Sequence, residues 1–168
     1  VGFDLYGPFT ALQDGSVVAV NVQKKSALIV TGSKSGSKSA FSSARRRKVV
    51  DLFTGPYSNI TAVAGGPGGN IWVYDVVERR IRIHSPEGTL LDSIIPLCDP
   101  EQGQNPVSMS VYNDGRFVLY YSSGKMACYN RLGIPLWRLS EIPDLFSGSN
   151  EPLPMIGHAA VNSKNGVI

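Results

Sequence analysis

The run Gly65-Gly66-Pro67-Gly68-Gly69, followed by NIWVYD (70–75), VVERR (76–80), IRIH (81–84), SPEG (85–88) and TLLDSI (89–94), decides the fold. It is entered through Gly68-Gly69 and reversed again at Pro86-Glu87-Gly88, which predicts three strands separated by two tight turns. Ile71-Trp72-Val73-Tyr74 is apolar on both faces, the pattern of a strand covered on both sides. Ile81 and Ile83 instead alternate with Arg80, Arg82 and His84, which predicts a strand buried on one face only. Such a pair fits a small twisted sheet stacked between similar sheets.

The chain supplies those neighbours. Downstream, PVSMSV-YNDG-RFVLYY-SSG-KMACY-NRLG-IPLWRL occupies residues 106–139. Upstream, PFTAL-QDG-SVVAVN-VQKKS-ALIVT runs over residues 8–31, with its last strand, VVDLF, displaced to 49–53. A fourth copy opens at His158 (HAAVNSKNG) and stops at Ile168. The glycines before each second strand, Gly15, Gly69, Gly115 and Gly166, lie between 46 and 54 residues apart. Four short strands per unit at a period of about 45–50 residues is the signature of a propeller blade. The expected fold is therefore all-β and propeller-type. It comprises about three four-stranded antiparallel blades (8–53, 60–95 and 106–139) and part of a fourth from 158, in one incomplete domain.

The motif PxxΦxΦxxDGxΦΦΦ followed by RIxΦxxPxGxΦΦ resembles the NHL-type repeat of six-bladed propellers, a class that includes the SMP-30/TolB-like folds. The resemblance is clearest in GGNIWVYD…RRIRIHSPEGTLLDSI (68–94) and covers the rest of the chain more weakly. Asp75 and Arg79-Arg80 keep part of the acidic and Asn-Arg pattern of that repeat, whereas the third unit has Tyr121 and Ser123-Gly124 there. Closed propellers have 4–8 blades. Three and a fraction cannot close a ring, so further blades of the same protein, or another chain, are expected to complete it.

Composition is that of a globular chain: 42% hydrophobic, 17% charged, 18 glycines and 11 prolines in 168 residues. No apolar run approaches the ~20 residues that span a bilayer, so a soluble chain is expected. Cys98 falls on an inter-blade loop and Cys128 in a third strand; both read as free thiols, Cys128 as a small core residue. Trp72 and Trp137 read most simply as inter-blade packing.

Net charge is only +3, but it is unevenly placed. Eight cations (Lys24, Lys25, Lys34, Lys38, Arg45, Arg46, Arg47 and Lys48) follow one another with no acid between them. Residues 32–48 (GSKSGSKSAFSSARRRK) include an insertion of about 13 residues in the first unit, rich in Gly, Ser and Lys. That composition buries too little apolar surface to order itself, which predicts a mobile loop between the third and fourth strands. Inter-blade loops and second-to-third-strand turns share one propeller face, the usual place for binding. The turns place Lys24, Lys25, Arg79, Arg80 and Lys125 there. With Arg45, Arg46, Arg47 and Lys48 they form the candidate partner-binding set.

Some SMP-30-like propellers are metal-dependent hydrolases that use Glu, Asn and Asp converging on the central channel. The innermost strands here read FTAL, ITAVA, SMSV and HAAV, with no carboxylate. His158 is the one channel candidate, and His84, among arginines, reads as solvated. No Cys/His cluster has zinc spacing, and Gly65–Gly69 lacks the Lys-Ser/Thr of a phosphate loop. Hence no catalytic residue, metal or cofactor is expected. Three functions follow in order. The first is a non-catalytic scaffold binding protein, including acidic protein, through its loop faces. The second is a metal-dependent, lactonase-like hydrolase with its ligands outside this chain. The third is RNA binding through the basic face, for which the aromatic platform is thin: Phe41 alone interleaves with the cations.

Overall fold

Six hairpin turns share one hydrogen-bond pattern, and it explains where the strands begin and end. In each five-residue turn (12–16, 66–70, 85–89, 112–116, 121–125 and 130–134) the first residue's N–H donates to the fifth carbonyl. The fourth N–H donates back to the first carbonyl. That fourth residue is Gly15, Gly69, Gly88, Gly115, Gly124 or Gly133, with φ between 78° and 96°. This is a three-residue hairpin loop ending in a left-handed residue, for which glycine is the fitting choice. Asp14, Asp114, Ser85 and Asn130 reinforce their turns by accepting backbone N–H groups from residues two or more positions on.

The computed structural model describes residues 7–31, 47–53, 55, 58–97, 105–139, 161–162 and 166–167. The first sheet is β1 (Phe9–Ala11), β2 (Val17–Asn21), β3 (Ser26–Val30) and β4 (Arg47–Val50). The second is β5 (Ile60–Gly65), β6 (Ile71–Asp75), β7 (Arg80–His84) and β8 (Leu90–Ile94). The third is β9 (Pro106–Val111), β10 (Phe117–Tyr121), β11 (Met126–Tyr129) and β12 (Pro135–Leu139). Each is a four-stranded antiparallel meander in sequence order. A short antiparallel hairpin, β13 (Val161–Asn162) and β14 (Gly166–Val167), stands at the start of the fourth unit, with Gly166 inside the second strand. A single 3-10 turn at Pro67–Gly69 is the helical content of the described residues, none of which forms a helix able to cross a membrane.

The first strands, β1, β5 and β9, pack side by side, so the sheets fan out as blades from one inner edge. Thr61 donates to the Pro106 carbonyl at 2.7 Å, and Gln13 of the first blade donates to Asn113 of the third at 2.9 Å. The middle blade sorts its side chains by the two-residue period of a strand. Ile71 and Val73 join Ile60 and Val63 against Val18, Val20, Ala27, Ile29 and Leu52 of the first blade. Trp72 and Tyr74, with Ile81 and Ile83, face Phe117, Leu119, Tyr121 and Tyr129 of the third. Phe117 stacks on Tyr129 at 5.1 Å, the kind of aromatic pair that adds about 0.5–1.5 kcal/mol beyond its buried area.

This arrangement corrects two readings of the middle blade. Strand β7 is buried on both faces, and neither Arg82 nor His84 is solvated. Register pairs Arg82 with Val73 and His84 with Ile71, so both lie on the face turned to the first blade, where Arg82 bonds to Asp75 and Ser58 and His84 Nδ1 to the Gly88 carbonyl. Trp72 is buried between blades as expected, but Trp137 lies on the outer strand β12 and is 41% exposed. Cys128 is a buried free thiol whose pKa burial pushes up; Cys98 lies outside the described residues. In the first blade the fourth strand begins earlier than the apolar pattern implied. Arg47 and Lys48 pair with Val30 and Ile29, so they belong to β4 and not to the insertion. The rest of that expected mobile loop, residues 32–46, lies outside the described residues.

Candidate functional site

The turn joining β6 to β7 is one residue longer than the five-residue pattern, and side chains build it. Asp75 ends β6 and its Oδ1 accepts the N–H of Val77 at 3.0 Å, as Asn21 at the end of β2 accepts the N–H of Lys24 at 2.8 Å. Both turns then close through a left-handed residue that is not glycine: Lys25 (φ 49°) and Arg79 (φ 51°). Equivalent turns of adjacent blades thus hold a long cationic residue in a conformation that L side chains rarely adopt. In the third blade the same position is Gly124.

Behind these turns is a buried polar seam between the first and second blades. Asp75 Oδ2 accepts the Ser58 hydroxyl at 2.5 Å and Arg82 Nη1 at 2.9 Å, and its other oxygen accepts the N–H of Asn59. Arg82 Nη2 reaches Glu78 at 2.5 Å, and Glu78 also pairs with Arg80 Nε at 3.0 Å. From the first blade, Lys25 Nζ donates to the Ser58 carbonyl and lies 5.3 Å from the centre of the Phe53 ring. Burial pushes the Asp75 carboxyl up. The Ser58 hydroxyl, the N–H groups of Asn59 and Val77, and Arg82 outweigh it and hold the group below its ordinary value. Asp75 therefore stays ionised, fixing the turn that carries Arg79.

Further out on β7, His84 is buried against the end of β4. Its Nδ1 faces the Gly88 carbonyl at 3.1 Å; a carbonyl only accepts, so Nδ1 carries the proton. Among the described residues Nε2 has no hydrogen-bond partner. Burial lowers the pKa of His84. The Gly88 carbonyl and Asp51 oppose that, and Arg82 adds to it.

The candidate partner-binding residues separate into two groups. Lys24, Lys25 and Arg79 are exposed on one face of the blades, with Arg80 and Lys125 half-buried beside them. Lys25 is engaged with Ser58 and Phe53, and Arg80 with Glu78. Lys24 and Arg79 make no ion pair among the described residues. Arg47 and Lys48 sit at the far end of their sheet, paired with the part of β3 remote from the β2–β3 turn. Lys48 is exposed and, after the Ser85 hydroxyl and the residue's own backbone N–H, helps to lower the pKa of Glu87 on the next blade. Arg45, Arg46 and His158 lie outside the described residues. Among the described residues no three His, Cys, Asp or Glu side chains come together as a metal-binding group.

Sequence reasoning missed Asn21, Phe53, Ser58, Glu78 and Arg82. The signal for Arg82 was present: hairpin register puts it on the same face as Asp75 and Val73. An arginine two residues from a strand-end aspartate on an otherwise apolar face implies a buried pair.

No family model matches the chain, and no curated protein matches its sequence. Solved structures do match its fold. A virginiamycin B lyase from Staphylococcus aureus, crystallised with quinupristin, aligns with a TM-score of 0.55 at 18% identity, over 83% of this chain and 42% of that one. A streptogramin B lyase aligns at 0.59 and 16% identity, over 96% of this chain and 46% of its own. Hsv2 from Kluyveromyces lactis aligns at 0.59 and 11% identity, over 98% and 52%. The chain thus has a β-propeller fold and spans about half the length of these structures. They include enzymes, and fold alone does not transmit an activity.

Proposed function

We propose that the chain is part of an NHL-like propeller scaffold that binds an acidic segment of a partner protein on the face carrying Lys24, Lys25 and Arg79. The supporting observation is the pair of left-handed cationic residues, Lys25 and Arg79, at equivalent turns of adjacent blades. Glycine would be the cheaper residue at both positions, and strain of this kind collects where a side chain is used. The Asp75–Arg82 seam holds the second turn rigid, which reduces the ordering cost of binding. The hydrolase alternative draws no carboxylate from β1, β5 or β9, which read FTA, ITAVAG and PVSMSV.

The test is a pair of charge reversals, Lys24→Glu and Arg79→Glu, set beside Arg47→Glu and Lys48→Glu at the other end of the blade. The probes are a synthetic Glu/Asp-rich peptide and a labelled single-stranded oligoribonucleotide, each followed by anisotropy across a salt series. The proposal expects the peptide to bind and the first pair alone to weaken it, less so as salt rises, because exposed charges are screened over ~8 Å at physiological ionic strength. Preferential binding of the oligoribonucleotide, with a salt slope that falls by about 0.7 for each phosphate no longer neutralised, would replace it with the RNA reading. Equal effects of the two pairs would remove the loop face from the proposal.

A further inference from the structure

The blades meet at a repeated rim joint, where the end of one outer strand docks on the next blade's third-to-fourth-strand turn. At the first joint, a Cβ built on Gly88 would lie 3.1 Å from Val50 Cβ and 3.4 Å from the Asp51 carbonyl oxygen. At the second, a Cβ on Gly133 would lie 3.0 Å from Ile94 Cγ2 and would collide with the Ile95 carbonyl oxygen. Val50 pairs with Ala27 as Ile94 pairs with Ile81, which makes Val50, Asp51 and Phe53 the counterparts of Ile94, Ile95 and Leu97. The counterparts bond differently. At the second joint the Leu97 N–H donates to the Gly133 carbonyl at 2.8 Å, a main-chain bond between blades. At the first, the Phe53 N–H turns to the Asp51 carboxylate at 2.9 Å, and the Gly88 carbonyl faces His84 Nδ1 at 3.1 Å instead.

We infer that His84 makes the first rim joint an acid-released latch: its neutral ring seats the Gly88 turn against the end of β4, and its protonation parts the first and second blades there while the second and third stay joined. The residue is 2% exposed, and its Nδ1 proton is already given to the Gly88 carbonyl. A second proton has to go on Nε2, which is buried with no acceptor among the described residues. A buried donor without a partner keeps its whole desolvation cost, and a buried charge without one costs more. Arg82, two positions back on the same strand face, adds a like charge, and Asp51 is the carboxylate that opposes it. Lys48 and Glu87, the other charged groups at this joint, are both exposed and attract each other across it. Water can solvate the cationic ring only when the blades separate. The equivalent residues, each opposite the first residue of its second strand, are Val30 in the first blade and Tyr129 in the third. Neither carries an imidazole, the group suited to change charge near neutral pH.

The experiment is hydrogen exchange read by mass spectrometry on the whole 168-residue chain, with rates corrected for the intrinsic effect of pH. Peptides covering 49–53 and 83–89 report the first joint, and those covering 94–97 and 129–134 the second. Each pH unit below 6.5 multiplies the open population by up to about tenfold, until the folded pKa is reached. The inference therefore expects opening at the first joint to rise by about tenfold or more between about pH 7.5 and pH 5, and opening at the second to hold. In His84→Gln, which still donates to the Gly88 carbonyl, the first joint should become independent of pH. A further readout needs no variant: the native chain has two histidines, and the titration of one imidazole NMR signal should coincide with the opening of the first joint. Equal opening of both joints in acid would overturn the inference, because the chain would then be unfolding as a whole. So would a first joint that stays closed in acid, one that still opens in His84→Gln, or one whose opening follows neither imidazole.

Discussion

Asp75 and Arg82 meet at 2.9 Å with side chains that are 0% and 3% exposed, at the seam between two blades. A buried pair of this kind is weak evidence of net stabilisation, but breaking it is costly because the survivor is left charged and unpaired. Arg82→Met should therefore destabilise the chain by about 3–5 kcal/mol, read as a lower urea midpoint. The acid limb follows from the sign of the Asp75 shift. Its folded pKa lies below the unfolded 3.8, so its contribution is complete above that pH and is lost as pH falls further through the folded value. A midpoint unchanged in Arg82→Met would show that the seam does not support the blade.

His84 acts over a different pH range. Its folded pKa is depressed below 6.5, so the unfolded chain takes up the proton first. Stability should be intact above pH 6.5 and decline as pH falls from there to the folded pKa, where the loss levels off. The groups facing the ring are Arg82 on its own strand and Asp51 at the end of β4, with the Gly88 carbonyl on Nδ1. His84→Gln, which can still donate to that carbonyl, should flatten the melting temperature between about pH 7 and pH 5. A native melting temperature that stays level across this range would mean that the ring protonates without strain.

The period of the repeat was legible because turn glycines and apolar runs report backbone geometry directly. Gly15, Gly69 and Gly115 all stand where a hairpin needs them. The burial of β7 was not legible in the same way. Arg82 and His84 alternate with Ile81 and Ile83, and alternation alone does not distinguish a polar residue facing water from one facing a buried partner. Asp75 and Glu78 of the β6–β7 turn and Ser58 ahead of β5, which make Arg82 an interior residue, come from two separate places in the chain. The candidate basic set was legible by composition but not by position. Lys25 and Lys48 are both cations near the first insertion, yet one is clasped at the blade seam and the other stands on the outer strand.

Two glycines with almost the same backbone angle should respond very differently to alanine. Gly15 (φ 82°) has open space where a Cβ would go, whereas on Gly133 (φ 81°) the new atom would run into the Ile95 carbonyl oxygen. Gly15→Ala should cost about 1–2 kcal/mol, the strain of a left-handed alanine. Gly133→Ala adds a collision with backbone that has no side chain to move aside, and should exceed about 3 kcal/mol. Urea unfolding of both variants measures the difference. Equal losses would mean that the rim joint opens freely and does not fix the second and third blades together.

Lys25 and Arg79 offer the reverse comparison, because glycine is the residue their backbone prefers. A left-handed non-glycine costs about 1 kcal/mol or more, and Arg79→Gly removes that strain. Glycine's larger unfolded-state entropy takes back part of the gain, so a net stabilisation of a few tenths to about 1 kcal/mol is expected. Lys25→Gly relieves the same strain but gives up the Nζ hydrogen bond to the Ser58 carbonyl and the position 5.3 Å from the Phe53 ring. Those interactions are of similar size, about 0.5–1 kcal/mol each, so this variant should be neutral or less stable than the native chain. Differential scanning calorimetry of the two variants separates the two roles that the proposed function gives them: a clasp between adjoining blades for Lys25, and a strained contact for the proposed partner for Arg79. Arg79→Gly should then gain stability while losing affinity for the acidic peptide. A variant that gained stability and kept full affinity would show that the strained arginine has no part in binding.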